Sequence, residues 1–349
     1  MNQRPIEEIA AIPSTGTASI RYLAVIAAAL ALLTSALLVW GLKGRDHFAS
    51  TTLNGDPAFY RDFAGRRVPE IQDQELFYHN LGGSVDAARN SDIIFLGPSF
   101  VSYALDKTLL RQFEEAHRRH VYNMSFIGIR GGEFSRRIIT RWNIKAPLWV
   151  INADDQFIHF FSTALDLTLG PTTTVISATS HNRLRGFLSA AARNLRWRAE
   201  DYLSYYKTGD RSHPGMYRNI STGDVTIDVN PQYTATTNKE ISFDRGRDCQ
   251  TDPKTIAIAR QYLEDIGGRA VLTLVPHSQY CPAQAVKLAE ALGIEILVPP
   301  DVGYTTVDGG GHLDQKGAIK FTNFLMTELV KTNAYQNAFK EKGPHNTKN

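Results

Sequence analysis

The sequence predicts an α/β fold, in which a mainly parallel sheet carries helices on both faces in three layers and follows one N-terminal transmembrane helix. Two observations carry this prediction. From residue 91 onward, short apolar segments alternate with amphipathic segments of helical spacing, which is typical of a parallel sheet buried on both faces. Residues 22–42 contain no charged residue and are rich in Ala, Leu and Val. A helix of that length crosses a hydrocarbon core of about 30 Å.

The elements of the α/β domain can be placed by their periodicity. Apolar runs predict strands at 93–96, 120–124, 147–151, 269–275 and 294–298. Helical spacing predicts helices at 107–119, 132–142, 253–266, 283–292 and 316–330. The chain is therefore divided into a cytoplasmic tail (1–21), a transmembrane signal anchor (22–42), a lead-in segment (43–90), the α/β domain (91–333) and a disordered polar tail (334–349). The domain contains an insertion at 166–247.

The insertion has polar stretches in which strands cannot be placed, and one segment, 182–206, with helical spacing. Five arginines lie on that segment. They form either a solvated helix face or a surface for an anionic glycan or lipid headgroups.

The apolar stretch at 22–42 reads as a signal anchor or as a cleaved signal peptide. The run is longer than the usual apolar core of a signal peptide, about 7–15 residues, and a small-residue cleavage site does not follow it. Basic residues after the stretch argue against an outward-facing domain, but long domains translocate largely regardless of loop charge. We expect a single-pass protein of the inner (cytoplasmic) membrane whose catalytic domain faces the periplasm.

Charge and cysteine content narrow the partners and the compartment. A formal net charge of +3 over 349 residues gives no reason to expect nucleic acid as a partner. His, Cys and Asp do not cluster with ligand spacing, so neither a metal nor another cofactor is expected. Cys249 and Cys281 both fall at the carboxyl edge of the predicted sheet. A disulfide between them would suit an oxidising compartment, and two unpaired thiols are the alternative.

Polar side chains stand where the predicted strands end, and in an open parallel sheet ligands bind at that edge. Ser99 follows the first strand, Asn123 ends the second, and Asp154 follows the third. Before the last helix, a glycine-rich loop carries Asp308 and His312. A serine and a histidine at one edge can act as nucleophile and base.

These segments resemble the motifs of the SGNH/GDSL hydrolase superfamily. They are Gly97-Pro98-Ser99, Asn123 with Gly128, Asn152-Ala153-Asp154-Asp155, and Asp308 with His312 and Gly317. The resemblance implies a flavodoxin-like three-layer fold.

By the same resemblance, Ser99 is the nucleophile and His312 the base, oriented by Asp308 or, failing that, Asp301. Gly128 and the Ser99 backbone N–H would bind the oxyanion, with Asn123 and Asp154 as further oxyanion or substrate residues.

Three departures separate the chain from the superfamily pattern. Pro98 replaces the Asp before the serine, and Asp154 replaces an oxyanion-donating Asn. An ionised carboxylate accepts hydrogen bonds, so that replacement removes a donor. Asp308 stands four residues before His312 rather than three, a shift that the intervening glycines can absorb.

Each site residue also has a structural interpretation. Ser99 can be a helix N-cap after a strand, and His312 an ordinary loop histidine. His277, which follows the strand predicted at 269–275, is either structural or a substrate contact.

The expected function is acyl transfer through a covalent serine ester, by an O-acetyltransferase or esterase acting on a cell-surface or exopolysaccharide. Its partners would be the membrane, a polysaccharide or other acyl acceptor, and an acyl-donor transporter or polysaccharide synthase complex. One alternative is a catalytically inactive glycan-binding or scaffold subunit of a polysaccharide assembly system. Another is a lipid or thioester hydrolase.

Overall fold

The computed structural model describes residues 20, 22–36, 59–62, 77, 80, 83–126, 132–153, 157, 206, 216–227, 239–241, 252–278, 281–307 and 310–340. The chain divides into two units, Met1–Phe48 and Ala49–Asn349. The site discussed below lies in the second unit.

Ten strands and eight helices have printed bounds in the described part of the second unit. The strands are β1 (Phe59–Asp62), β2 (Ile93–Leu96), β3 (Val121–Asn123), β4 (Leu148–Asn152), β5 (Met216–Asn219), β6 (Val225–Ile227), β7 (Lys239–Glu240), β8 (Arg269–Thr273), β9 (Glu295–Leu297) and β10 (Thr305–Thr306). The helices are α1 (Ser84–Arg89), α2 (Ser99–Ala104), α3 (Lys107–His117), α4 (Glu133–Trp142), α5 (Pro253–Ile266), α6 (Pro282–Leu292), α7 (Gln315–Leu329) and α8 (Asn333–Phe339).

The central sheet has five parallel strands in the order β3-β2-β4-β8-β9. The chain runs outward from β2 to β3 and then returns to pair β4 on the other side of β2. Strand order therefore reverses between β2 and β4, and such a switch point opens a crevice at the carboxyl ends of the strands. This order is the flavodoxin-like one. The predicted α/β class and parallel sheet are confirmed.

Helices cover both faces of the sheet because successive strand residues point to opposite sides. Ile94 and Trp149 belong to one apolar core, which packs against α1, α4, α5 and α6. Ile93 and Val150 belong to a second core, which packs against α2, α3, α7 and α8. The strands β2 and β4 are buried throughout, which explains their continuous apolar runs.

Side-chain caps set the starts of the longer helices. Asp106, Asp252 and Asp314 each accept a hydrogen bond from a backbone N–H in the first turn of α3, α5 and α7. Carboxylates at these positions satisfy N–H groups that have no partner within the helix. The observed bounds of these helices lie within two residues of the predicted ones.

Two small antiparallel sheets involve the insertion. Strands β5 and β6 form a hairpin, and β1 from the lead-in segment pairs with β5. Strand β7 pairs with β10, just before the loop that carries His312. The predicted helix at 182–206 lies outside the described residues except for its last position.

Residues 22–36 are helical, and their side chains are exposed. Within the described residues, the structure contains no helix that is both long enough and apolar enough to span a membrane. Residues 37–42 of the predicted anchor lie outside the described part.

Two boundary predictions are corrected. The tail was predicted to be disordered from 334, but Asn333–Phe339 form α8, whose Tyr335 is buried against Phe113. The lead-in segment was predicted to be irregular, but it contributes β1 and α1. Both errors have one cause: these elements are too short for a periodic pattern and are stabilised by packing.

Candidate active site

Ser99 stands at the sharp turn from β2 into α2, at the switch point of the sheet. Gly97 makes this turn fit, because a Cβ there would lie 2.3 Å from Val101 Cγ2 and 3.0 Å from Asn152 Cβ. Pro98 is the N-cap of α2, and the cap makes no side-chain hydrogen bond. The interpretation of Ser99 as a helix N-cap is therefore wrong, since Ser99 is already the first residue of the helix.

His312 is carried by the loop between β10 and α7. The two ends of this loop are tied together, because Val307 N–H donates to the His312 carbonyl at 2.9 Å and Asp314 N–H to the Thr305 carbonyl at 3.0 Å. Gly317 allows the close approach, since a Cβ there would lie 2.8 Å from the Thr305 carbonyl oxygen. The loop base is thus fixed on the first turn of α7.

The structure brings the two predicted residues together. Ser99 Oγ lies 2.8 Å from His312 Nε2, across 213 positions of sequence. Both residues are partly exposed. A hydroxyl at hydrogen-bond distance from an imidazole nitrogen can be deprotonated as it attacks a carbonyl carbon.

Aromatic rings surround this pair. Tyr103 packs on the His312 ring with centroids 4.3 Å apart, and Phe100 lies 5.2 Å from it. On its other contact, Phe100 stacks on His277 at 4.5 Å with nearly parallel planes. His277 is 3% exposed, so it supports Phe100 from inside the protein. A side chain so buried does not reach a substrate without movement of the structure.

Asn123 also has an internal role in the structure. It is 1% exposed, and its Oδ1 accepts hydrogen bonds from Ser125 N–H at 3.1 Å and Ser125 Oγ at 2.5 Å. The Ser125 hydroxyl lies 2.6 Å from that of Ser102 on α2. The expectation that Asn123 contacts oxyanion or substrate is not met, because its side chain is used to connect the end of β3 with α2.

Asn152 ends β4 directly beside the Ser99 turn. Its Oδ1 accepts from the Val275 N–H at 2.9 Å, which ties the end of β4 to the segment that carries His277. Its Nδ2 is buried without a hydrogen-bond partner in the described part of the protein. A buried amide donor at this edge is the kind of group that an ordered water or a ligand oxygen satisfies.

Several predicted residues lie outside the described residues: Gly128, Asp154, Asp308 and Cys249. Their roles stay predictions. Asp301 lies in the loop between β9 and β10 and is partly buried. Cys281 precedes α6 and is disulfide-bonded, so the unpaired thiol is not what the structure holds. The sequence contains one other cysteine, Cys249.

Sequence reasoning missed one residue near this edge, Arg218 on β5. Its side chain is 1% exposed, and its guanidinium contacts the end of β3. The hairpin itself had a signal, since Ser221-Thr222-Gly223-Asp224 lies between two short alternating segments and is a typical turn sequence. The burial of the arginine had none, because arginine is rarely buried.

Comparisons with protein-family models, with curated proteins and with solved structures found no match. The resemblance to the SGNH/GDSL superfamily therefore rests on the motifs alone. Within the described residues, no group of three or more His, Cys, Asp or Glu side chains could hold a metal ion.

Proposed function

We propose that this chain is a serine acyl-transfer enzyme of the SGNH type, an O-acetyltransferase or esterase that acts on a cell-surface polysaccharide. The observation that carries the proposal is the 2.8 Å contact between Ser99 Oγ and His312 Nε2 at the carboxyl edge of the sheet. Sequence motifs of the superfamily and the flavodoxin-like strand order support it.

The reaction has two half-reactions. Ser99 Oγ attacks the acyl carbonyl carbon while its proton passes to His312 Nε2, which gives a tetrahedral oxyanion and an imidazolium. The oxyanion collapses, the bond to the leaving oxygen breaks, and His312 returns the proton to that oxygen. A sugar hydroxyl or a water then attacks the Ser99 ester in the same way and releases the free serine. A transferase and an esterase differ only in this second acceptor.

The surroundings of His312 suit the charge that it gains. In the imidazolium the ring is a cation, and Tyr103 and Phe100 present aromatic rings at 4.3 and 5.2 Å. Aromatic faces attract cations within about 6 Å. Since the rings also restrict rotation of the imidazole, they help to keep Nε2 directed at Ser99.

Membrane anchoring and a periplasmic location are part of the proposal. The helix at 22–36 exposes apolar side chains around its whole circumference, and such a helix requires an apolar environment. The disulfide at Cys281 suits an oxidising compartment. An anchored enzyme meets substrates that stay near the membrane, such as a growing glycan.

The test uses the full-length chain in detergent, a fluorophosphonate probe and intact mass. We expect one adduct on the native chain and none on Ser99→Ala. In His312→Ala the labelling rate should fall about 10²–10⁴-fold, the usual contribution of a general base. Ser221→Ala, an exposed serine of the β5–β6 turn, is the matched control and should label normally. An aryl acetate with and without an oligosaccharide acceptor then separates transfer from hydrolysis.

The competing function is a catalytically inactive glycan-binding or scaffold subunit. One observation favours it: Asp154 stands where the superfamily has an oxyanion-donating Asn. Loss of one such donor costs about 10²–10³ in rate. A folded native chain that never labels, but binds polysaccharide in calorimetry, would replace the enzyme with this alternative.

A further inference from the structure

The hairpin β5–β6 docks on the edge strand of the central sheet. The edge strand is β3, and its Asn123 N–H donates to the Thr222 carbonyl at 2.9 Å. Gly223 has a φ of 70° and a Cβ there would lie 2.1 Å from the Asn123 carbonyl oxygen. A turn that requires glycine at its contact with another segment is a fitted contact, so the insertion is joined to the domain at this point.

Arg218 of the hairpin reaches the end of β3 from below this turn. Its Nη1 donates to the carbonyls of Asn123 at 3.0 Å and Gly223 at 2.8 Å, and its Nη2 donates to the carbonyl of Ser125 at 2.6 Å. The guanidinium also lies 5.6 Å from the centre of the Phe77 ring. A planar group with five donors can hold several carbonyls in fixed relative positions, which lysine cannot do.

The carbonyls held by Arg218 belong to residues that also contact the nucleophile helix. We call residues 123–126 the β3 exit. Phe126 N–H donates to the Gly97 carbonyl at 2.9 Å, two residues before Ser99. The Ser125 hydroxyl lies 2.6 Å from Ser102 Oγ, three residues after Ser99. The β3 exit is thus held by Arg218 on one side and by the Ser99 turn on the other.

We propose that Arg218 is a positioning residue for acyl transfer: it fixes the β3 exit against the Ser99 turn. This proposal rests on the proposed function. Gly128, to which the superfamily resemblance gives an oxyanion role, follows Phe126 by two positions in the sequence. The insertion would then be a working part of the site, and its arginine would act on the transition state through the backbone that it holds.

The test compares Arg218→Met with Arg111→Met. Arg111 on α3 pairs with Glu114 and, at 3.3 Å, with Asp224 of the hairpin turn. It therefore secures the same hairpin, but none of its printed contacts is with the β3 exit. Both variants should lower the melting temperature. In Arg218→Met the maximal rate of fluorophosphonate labelling should fall about 10²-fold at unchanged probe affinity, the effect of a displacement of about 1 Å.

Arg218→Lys keeps the charge and is the second variant in case Arg218→Met does not fold. It should retain an intermediate labelling rate, because one ammonium group cannot satisfy three carbonyls. Equal loss of labelling in Arg111→Met and Arg218→Met at equal melting temperature would overturn the proposal and leave Arg218 a purely structural residue.

Hydrogen exchange of the peptide that covers the β3 exit gives a readout independent of catalysis. We expect roughly tenfold faster exchange there in Arg218→Met than in Arg111→Met. If the native chain never labels, the proposed function fails, and this exchange result alone decides whether Arg218 positions the β3 exit. Equal exchange in the two variants would refute the positioning.

Discussion

Replacing Gly97 with alanine is expected to slow acylation of Ser99 far more than it destabilises the fold. The new Cβ would lie 2.3 Å from Val101 Cγ2 on one side and 3.0 Å from Asn152 Cβ on the other. Neither neighbour can give way easily, because Val101 is buried and stiff at χ1 and Asn152 ends a central strand.

The size of the effect follows from these distances. Ordinary contact with a Cβ begins at 3.4 Å, so α2 must move by about 1 Å relative to β2. The contact between Ser99 Oγ and His312 Nε2 is 2.8 Å, and the same displacement along it would leave about 3.8 Å, which is too long for a hydrogen bond. We expect a loss of about 10²-fold in labelling rate and of about 1–3 kcal/mol in the free energy of unfolding.

The assay measures fluorophosphonate labelling rates and thermal unfolding for Gly97→Ala and two comparison variants. Gly293→Ala adds a Cβ at a φ of 68° with no other atom within 4 Å. It should cost about 1–2 kcal/mol through backbone strain and leave labelling unchanged. In the double variant Gly97→Ala with Val101→Ala the clash is removed, so labelling should recover towards the native rate. Native-like labelling of Gly97→Ala, or equal slowing in Gly293→Ala, would refute the reasoning.

Three further predictions concern stability. Tyr304→Phe should raise the melting temperature slightly, because the Tyr304 hydroxyl is buried with no hydrogen-bond partner in the described structure and burial raises its pKa to about 12; a clear decrease would contradict this. Thr322→Val should cost about 1–3 kcal/mol in chemical denaturation, because Thr322 Oγ1 accepts from Asp106 N–H at 2.9 Å; an unchanged midpoint would contradict it. Burial raises the pKa of Asp224 against the opposing charge of Arg111, so the stability that this carboxyl contributes is present below its unfolded value of 3.8 and lost as pH rises through the folded value. Asp224→Asn cannot ionise and should gain in melting temperature relative to the native chain between about pH 4 and about pH 8, and a difference that stays constant or shrinks with pH would exclude this account.

The regular elements of the domain were predictable because their signal is local. β2 and β4 are buried on both faces, which requires four or five apolar residues in succession. Helix α7 places Phe321 and Leu325 one turn apart on its buried side. Short elements such as α8 escaped, since two aromatic residues four positions apart do not outweigh a polar composition.

The candidate site was predictable in part, through a general rule about sheets. The carboxyl ends of parallel strands meet at one edge, so Ser99 and the His312 loop could be expected near each other. The sequence could not indicate that Asn123 and His277 point inward, because the direction of a polar side chain at a strand end depends on what packs beside it. Nor could it indicate that Arg218 crosses from the insertion to hold the end of β3.

The sequence by itself determined the α/β class, the parallel strands and the residue types at their ends, since these depend on periodicity and on chemistry that a short segment carries. Only the tertiary structure decided the 2.8 Å contact of Ser99 with His312 and the burial of Arg218 among backbone carbonyls. The physical reason is that both depend on segments about 90 to 210 residues apart in sequence. Such pairs are brought together by the packing of the whole sheet and its helices, and local propensity does not encode their distance.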